Sequence, residues 1–421
     1  MKRINNLYNE ICSIENLIIA DKKARIGKSK SDEIKSFDAN RDALLKKLND
    51  DLVKLKYKTS EYETFIVNEY GKDRKIYKLP YYPDRIVHHA IMNVLEPIWC
   101  NIFIRNTFAC IKNRGIHDGL KRIKDDLYND VENTKYCLKL DIKKYYPSID
   151  HDILKKIIRY KIKDNNLLCV LDEIIDSSDG VPIGNYLSQY FANLYLTYFD
   201  HWIKEVKNIK YYYRYADDIV VFDSSKDNLH LLFCDIENYL NTNLKLIIKQ
   251  NHQVFDVDIR GIDFLGYVIR HDYILLRKTI KNRLFRKIYK SNANKITKSI
   301  SAYNGWLKYC NSYNLKNKII YTMAKKFSDL GIIINKDLFS GEKISITKII
   351  NKDILVKSYK LSESKFSSNQ CLTIQINVDG QDRIVFTGSK NLISQIEQIN
   401  KDDFPIETKI EIINKNGYIF S

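Results

Sequence analysis

The stretch YYYRYADDIVVF, residues 211–222, sets two adjacent acids, Asp217 and Asp218, between aromatic residues and a β-branched run. Its flanks have the composition of buried strands. A charge inside such a strand is costly unless it is paired or bound to a metal. Side chains alternate across a strand, so neighbouring acids serve one site only from a turn or a strand end. A strand–Asp-Asp–strand hairpin provides that. Asp141 has the same setting at the end of CLKLD, residues 137–141, before a turn at Pro147. Alone, Asp-Asp reads as an ordinary turn dipeptide and Asp141 as a helix cap. Together, at strand ends of one basic chain, the three acids read as oxygen ligands for a hard divalent cation. Mg²⁺ suits such a set, with phosphate supplying further ligands.

The basic character is concentrated in one place. The 421-residue chain carries a net charge of +17, and residues 271–335 hold 14 Lys/Arg against 2 Asp/Glu. Residues 336–421 are nearly neutral, with 12 basic and 11 acidic residues. A surplus this lopsided, interleaved with Tyr and Trp, points to a polyanion-binding surface more than to a solvated helix face. The length suggests roughly two to four domains, and 44% hydrophobic residues exclude a disordered chain. No apolar run reaches the roughly 18 residues of a membrane span, and no membrane partner is expected. The first residues, MKRINNLYNEICSIENLI, lack the apolar core of a secretory signal. Eight cysteines are scattered without a CxxC pair, which argues against zinc and for a reducing cytoplasm.

Four segments follow from the pattern. Residues 1–55 read as a helical N-terminal extension. Residues 56–270 hold a hairpin with a Gly-Lys-Asp turn at 71–73, a buried helix RIVHHAIMNVLEPIWCNIFI (85–104), and strands around 135–141, 211–222, LKLIIKQ (244–250) and IDFLGYVI (262–269). Residues 184–206 read there as one amphipathic helix opening on Gly184 and Asn185, and residues 227–243 as another helix. Residues 271–335 are helical and basic, and residues 336–421 form a small β-rich domain with an Asp379–Gly380 turn. His88 and His89 read as packing histidines, because neighbours on a helix point different ways and cannot share one ion. Tyr211–Tyr213 read as strand core, and Trp306 as core of the basic segment.

The ordered motifs carry a resemblance. LKLDIKKYYPSI (138–149), GVPIGNYLSQYFANLYL (180–196), YRYADDIVVF (213–222), LKLIIKQNHQVF (244–255) and IDFLGYVI (262–269) occur in the order and spacing of the palm motifs of reverse transcriptases. KDRKIYKLPYYPDRIVHHAIMNVLEPI (72–98) is similar to their fingers motifs. Among them the chain most resembles the reverse transcriptases of diversity-generating retroelements, with antiphage-defence reverse transcriptases close behind. The usual Q-G-x-x-x-S-P pattern appears with Ile183 in place of Gln and Gln189 in place of Pro, around Gly184.

The resemblance implies an α+β right-hand polymerase, with fingers and palm at 56–270 and thumb at 271–335. It implies RNA-directed DNA synthesis with two Mg²⁺ ions, replaceable by Mn²⁺, about 4 Å apart. The partners it implies are an RNA template, a DNA or RNA primer, their duplex and dNTPs, with an accessory protein or a structured non-coding RNA as a further class. Asp141 and Asp217 would bridge the metals, Asp218 would support them, and the Ile142 carbonyl would add a ligand. Arg74, Lys75 and Arg85 match the positions that hold the triphosphate, and Lys249 the late palm lysine that protonates pyrophosphate. Tyr146 matches the ring beneath the incoming sugar, which collides with a ribose 2′-hydroxyl and so argues against an RNA-dependent RNA polymerase. Ile183, Gly184 and Gln189 lie near the templating pair. Arg283, Arg286, Lys287 and Lys290 would follow the duplex backbone. A catalytically silent nucleic-acid-binding scaffold is the competing reading, and the retained acids speak against it.

Overall fold

The computed structural model describes residues 3–28, 31–69, 72–290, 301–319, 339–363, 370–413 and 417–421. The α+β chain divides into two compact units, Met1–Tyr273 and Ile274–Ser421. In the first, apolar residues recur with helical spacing in α1 (Tyr8–Cys12), α2 (Ile14–Ala24), α3 (Asp32–Asp38) and α4 (Arg41–Val53). Ile11, Leu17, Leu45, Leu48 and Leu52 from these helices enter the same core as Ile86, Ile91, Leu95 and Trp99 of α5 (Ile86–Cys100). The nearly inaccessible Asp21 accepts from Arg25, Arg41 and the Tyr81 hydroxyl, tying α2 to the turn before α5. Removing that acid would leave the Tyr81 hydroxyl without this acceptor and each arginine with one carboxylate partner, Arg25 with Asp38 and Arg41 with Asp42.

Strands β1 (Glu63–Glu69) and β2 (Lys72–Lys78) form the antiparallel hairpin, pairing Phe65 with Ile76 and Val67 with Arg74. Lys72 and Asp73 belong to β2 and not to the turn; Gly71 lies outside the described residues. After α6 (Ile116–Asn129) come β3 (Tyr136–Asp141), then α7 (His151–Arg159) and α8 (Asn165–Asp176). β3, β4 (Tyr211–Tyr215), β5 (Asp218–Asp223) and β6 (Gln253–Asp256) make an antiparallel sheet in the order β4-β5-β3-β6. The helix α11 (Lys226–Leu244) buries Leu229, Leu232, Ile236 and Leu240 in the core that covers this sheet. The short hairpin β7 (Ile262–Phe264) and β8 (Tyr267–Ile269) follows.

Two segments depart from the sequence reading. LKLIIKQ is no strand: it contributes one isolated antiparallel bridge, Ile248 with Ile142. Residues 186–206 are not one amphipathic helix. They run as α9 (Tyr186–Tyr195), α10 (Thr197–His201) and a wider turn, Trp202–Val206. α9 is buried on nearly every side. Its Asn193 carbonyl accepts from the Thr197 hydroxyl (2.9 Å) and from Arg214 Nη2 (3.4 Å), and such competition interrupts a helical ladder.

Arg214 and Asp200, both fully buried, form an ion pair behind the sheet. Nε and Nη2 of Arg214 donate to the carboxylate at 2.8 and 2.5 Å, and the Tyr212 hydroxyl adds a bond at 2.5 Å. Nη1 reaches the Asn193 side chain (3.2 Å) and the Ala216 carbonyl (3.0 Å). Each lone pair and N–H is thereby met, which a buried charge pair requires.

The second unit begins with Ile274–Leu276, whose Ile274 exchanges two hydrogen bonds with Asn311. Its helix Lys278–Lys290 buries Leu284 and Ile288 and exposes Arg283, Arg286 and Lys287; the Lys290 side chain lies outside the described residues. In the next described stretch Tyr303 and Leu307 are buried and Trp306 only half-buried, so the core role falls to Tyr303. Among the described residues the C-terminal part has a five-stranded sheet, a two-stranded pair (Ile410–Ile413 with Gly417–Phe420) and the helix Lys390–Glu397 over a core of Ile354, Ile374, Ile376, Val385, Leu392 and Phe404.

Arg214→Met should cost about 3–5 kcal/mol of stability by leaving Asp200 buried and unpaired. Urea unfolding of Arg214→Met beside the double variant Arg214→Met/Asp200→Leu checks this. The double variant should be the more stable of the two.

Candidate active site

The register of β3 and β5 sets Asp141 directly opposite Asp218, while Asp217 occupies the two-residue turn between β4 and β5. Ala216 in that turn has φ +53°, a left-handed conformation that costs a non-glycine residue roughly 1–2 kcal/mol. The Arg214 bond to the Ala216 carbonyl holds it there. The Ile142 N–H donates to the Asp217 carbonyl (3.4 Å), joining the turn to the end of β3.

The carboxyls of Asp141 and Asp217 meet within hydrogen-bonding contact. Burial, and then the neighbouring Asp141 charge, push Asp217 up to about 6, against the pull of Lys249. Lys249 Nζ lies 2.5 Å from Asp141 Oδ1, and its backbone N–H donates to the Asp141 carbonyl (2.9 Å). Asp218, opposite Asp141 and on the same strand face, lies 3.6 Å from Lys139 Nζ, and Lys139 also donates to the Asp263 carbonyl. Among the described residues no three His, Cys, Asp or Glu side chains surround one metal position. The structure brings together Asp141 and Asp217 and leaves Asp218 beside Lys139. Two crowded carboxylates, all hard oxygen, still fit Mg²⁺ or Mn²⁺ if further oxygens come from a phosphate.

The other sequence-derived residues fall into three places. Tyr146 stands half-buried next to the acids, edge-on to Tyr145 at 5.7 Å, and its carbonyl accepts from Val181 N–H (2.9 Å). Burial raises its phenol, with Cys110 and Asp217 adding to the effect. Ile183 anchors the hairpin: its carbonyl accepts from Tyr77 N–H at 2.8 Å. Gly184 has φ +126°, and a Cβ there would stand 2.4 Å from the Tyr77 carbonyl, so the close approach admits only glycine. Arg74 and Lys75 project from opposite faces of the hairpin. Arg74 shares its face with Ile76, which borders Gly184, whereas Lys75 lies over the Tyr77 ring at 5.0 Å.

Arg85, Gly184 and Gln189 line a cleft of about 230 Å³ together with Lys28, His88 and His89. Burial and the surrounding cations hold His88 down to about 3 and His89 to about 4, so both are neutral at pH 7 and the cleft's charge comes from Lys28 and Arg85. His89 stacks on Tyr186 at 4.5 Å. Sequence reading missed Lys28, Lys139 and the Arg214–Asp200 pair. Only two signals existed for them: Lys139 shares a strand face with Asp141, and Arg214 is a charge inside an aromatic strand. The Tyr211–Tyr213 rings are core, and their hydroxyls end on Asp130, Asp200 and Asp126.

Residues 66–269 match the family described as reverse transcriptase (RNA-dependent DNA polymerase), a span that covers most of the hairpin, the acids and β7–β8. Residues 340–421 match a domain of unknown function. Among curated proteins, Protein YkfC of Escherichia coli is 27% identical over 153 residues, 34% of this chain and 40% of that protein. The Group II intron-encoded protein LtrA of Lactococcus lactis is 25% identical over 154 residues, 34% of this chain and 25% of that one. The matches thus span well under half the length of these relatives. Among solved structures, apo telomerase from Candida tropicalis aligns with a TM-score of 0.42 at 12% identity, over 57% of this chain and 51% of that one. Telomerase from Candida albicans, in complex with a TWJ fragment of telomeric RNA, aligns at 0.39 and 12%, over 63% and 59%. No helix among the described residues is long and apolar enough to cross a membrane.

The raised Asp217 sets a sign for stability. Its folded form binds a proton more tightly than the unfolded chain, so its ionisation destabilises the fold as pH rises from about 4 through about 6. In metal-free buffer, Asp217→Asn should therefore unfold at a higher denaturant concentration than wild type at pH 7, with the difference closing by pH 4. Urea midpoints at both pH values check it.

Proposed function

We propose that this chain is an RNA-directed DNA polymerase that makes cDNA in the cytoplasm. The observation that carries the reading is the meeting of Asp141 and Asp217 inside the span that matches the reverse transcriptase family. Divalent ions held there, when bound, supply the charge that stabilises the attacking and leaving oxygens of phosphoryl transfer. The chain's own residues do the rest. Asp141 and Asp217 orient the reacting phosphate through those ions. Asp218, opposite Asp141 and beside Lys139, supports them. Tyr146, against the acids, excludes a 2′-hydroxyl and so selects dNTPs. Arg74, on the hairpin face that borders Gly184, and Arg85 with Lys28 in the cleft supply positive charge to phosphates. Lys249, already at the acids, is placed to protonate the pyrophosphate. Arg283, Arg286 and Lys287 offer an exposed basic helix to the RNA–DNA duplex.

For the biological setting we favour an error-prone enzyme of a diversity-generating retroelement. What supports it is Ile183: a branched apolar side chain there withholds a hydrogen bond from the templating pair, and a loss of about 1.4 kcal/mol in discrimination is tenfold in error rate. An antiphage enzyme that copies a dedicated non-coding RNA is the alternative.

Primer extension on RNA with Mg²⁺ or Mn²⁺ tests the activity. Asp141→Asn and Asp217→Asn should each lower dNTP incorporation at least about a hundredfold, near 2.7 kcal/mol of barrier, with RNA binding kept. Full activity in either variant contradicts the reading. Tyr146→Ala should raise the rNTP to dNTP ratio. Sequenced cDNA from Ile183→Gln should carry fewer errors than wild type, and equally low error in both removes the retroelement argument.

A further inference from the structure

Two lysines stand at the acids, and they are held differently. Lys139 Nζ is shared between Asp218 and the Asp263 carbonyl, so a backbone acceptor fixes it. Lys249 Nζ has Asp141 Oδ1 as its partner at 2.5 Å, and both side chains are about one-third exposed. The backbone beneath Lys249 is clamped. Its N–H donates to the Asp141 carbonyl (2.9 Å), Lys143 N–H donates to the Ile247 carbonyl (2.8 Å), and Ile248 bridges Ile142. Any movement of the ammonium is therefore rotation of a half-exposed side chain about a fixed stem. The other flank of Asp141 is occupied by Asp217.

A divalent ion shared by these two carboxylates would come close to the ammonium on Asp141 Oδ1, and at a separation of about 4 Å two cations repel each other substantially outside bulk water. We propose that Lys249 is the resident counter-ion of Asp141, and that a divalent metal enters by displacing its ammonium. Metal binding and release of Lys249 are then one exchange. The inference rests on the metal reading of this site given above, and it adds a property of the free protein. The exchange weakens metal binding in the absence of substrate. It also leaves the released ammonium at the site for the negative charge of bound phosphates, so metal and nucleotide favour each other's binding.

Mn²⁺ titration of the full chain, read by the paramagnetic resonance of free Mn²⁺ and without nucleic acid, tests the exchange. Lys249→Met and Lys249→Gln should each bind Mn²⁺ about two- to fivefold more tightly than wild type, the size of a half-exposed lysine–carboxylate pair. Lys249→Arg and Lys139→Met should bind as wild type does. Asp217→Asn should lose the site, which shows that the counted ion is the one between the acids. A merely structural lysine gives no gain in affinity on removal. Unchanged or weaker Mn²⁺ binding in both Lys249→Met and Lys249→Gln, at wild-type melting temperature, overturns the proposal. The titration requires no synthesis. A protein that shows the gain but copies no RNA keeps the exchange and loses the polymerase reading, and one that copies RNA without the gain does the reverse.

Discussion

A guanidinium and a carboxylate closed off from water, Arg214 and Asp200, hold the site's geometry. Arg214 sits at the penultimate position of β4. Its backbone N–H and carbonyl exchange bonds with Asn106 and Phe108, and its side chain reaches α9, α10 and the turn that bears Asp217. An isolated charge at that depth is prohibitive, so the pair can exist only when all these elements are in place together. The strained Ala216 and the crowded Asp217 are both tolerable because this network is rigid. Functional strain needs such over-determined surroundings.

How much of this was legible in the sequence depends on whether the signal is local. Asp217 and Asp141 stand out because a carboxylate in an apolar strand breaks the pattern, and that break marks the site. The hairpin, α5 and α11 are legible because their periodicity runs over many residues. The Lys139 contact of Asp218 was not legible, because it depends on strand pairing and on the Asp263 carbonyl, distant in the chain. LKLIIKQ has the composition of a strand but makes a single bridge, because its backbone bonds are spent on both sides of Asp141. Arg74 and Lys75 were assigned together from the resemblance, and the register of the hairpin sets their side chains on opposite faces. The resemblance to reverse transcriptases supplied roles that composition could not, and residues 66–269 match that family.

The electrostatics of the site share one theme: positive charge arranged around acids and openings that call for more. Lys249 and Lys139 each answer one carboxylate, and Lys28 and Arg85 supply the charge of a cleft whose histidines are neutral. Gly184 lets the hairpin approach within a distance that any side chain would forbid, which brings the Arg74 face to the same region. Phosphates are the ligands such an arrangement suits, because they bring negative charge to the lysines and oxygens to a metal at once.

The central claim is that Asp141 and Asp217 make the metal centre. Crystals of the protein soaked with Mn²⁺ and a non-hydrolysable dNTP analogue on an RNA–DNA primer–template, measured at the manganese edge, test it most directly. The account predicts anomalous density between the Asp141 and Asp217 carboxylates and the nucleotide phosphates, with Lys249 Nζ moved off Asp141. A filled nucleotide site with no manganese between Asp141 and Asp217 would contradict it.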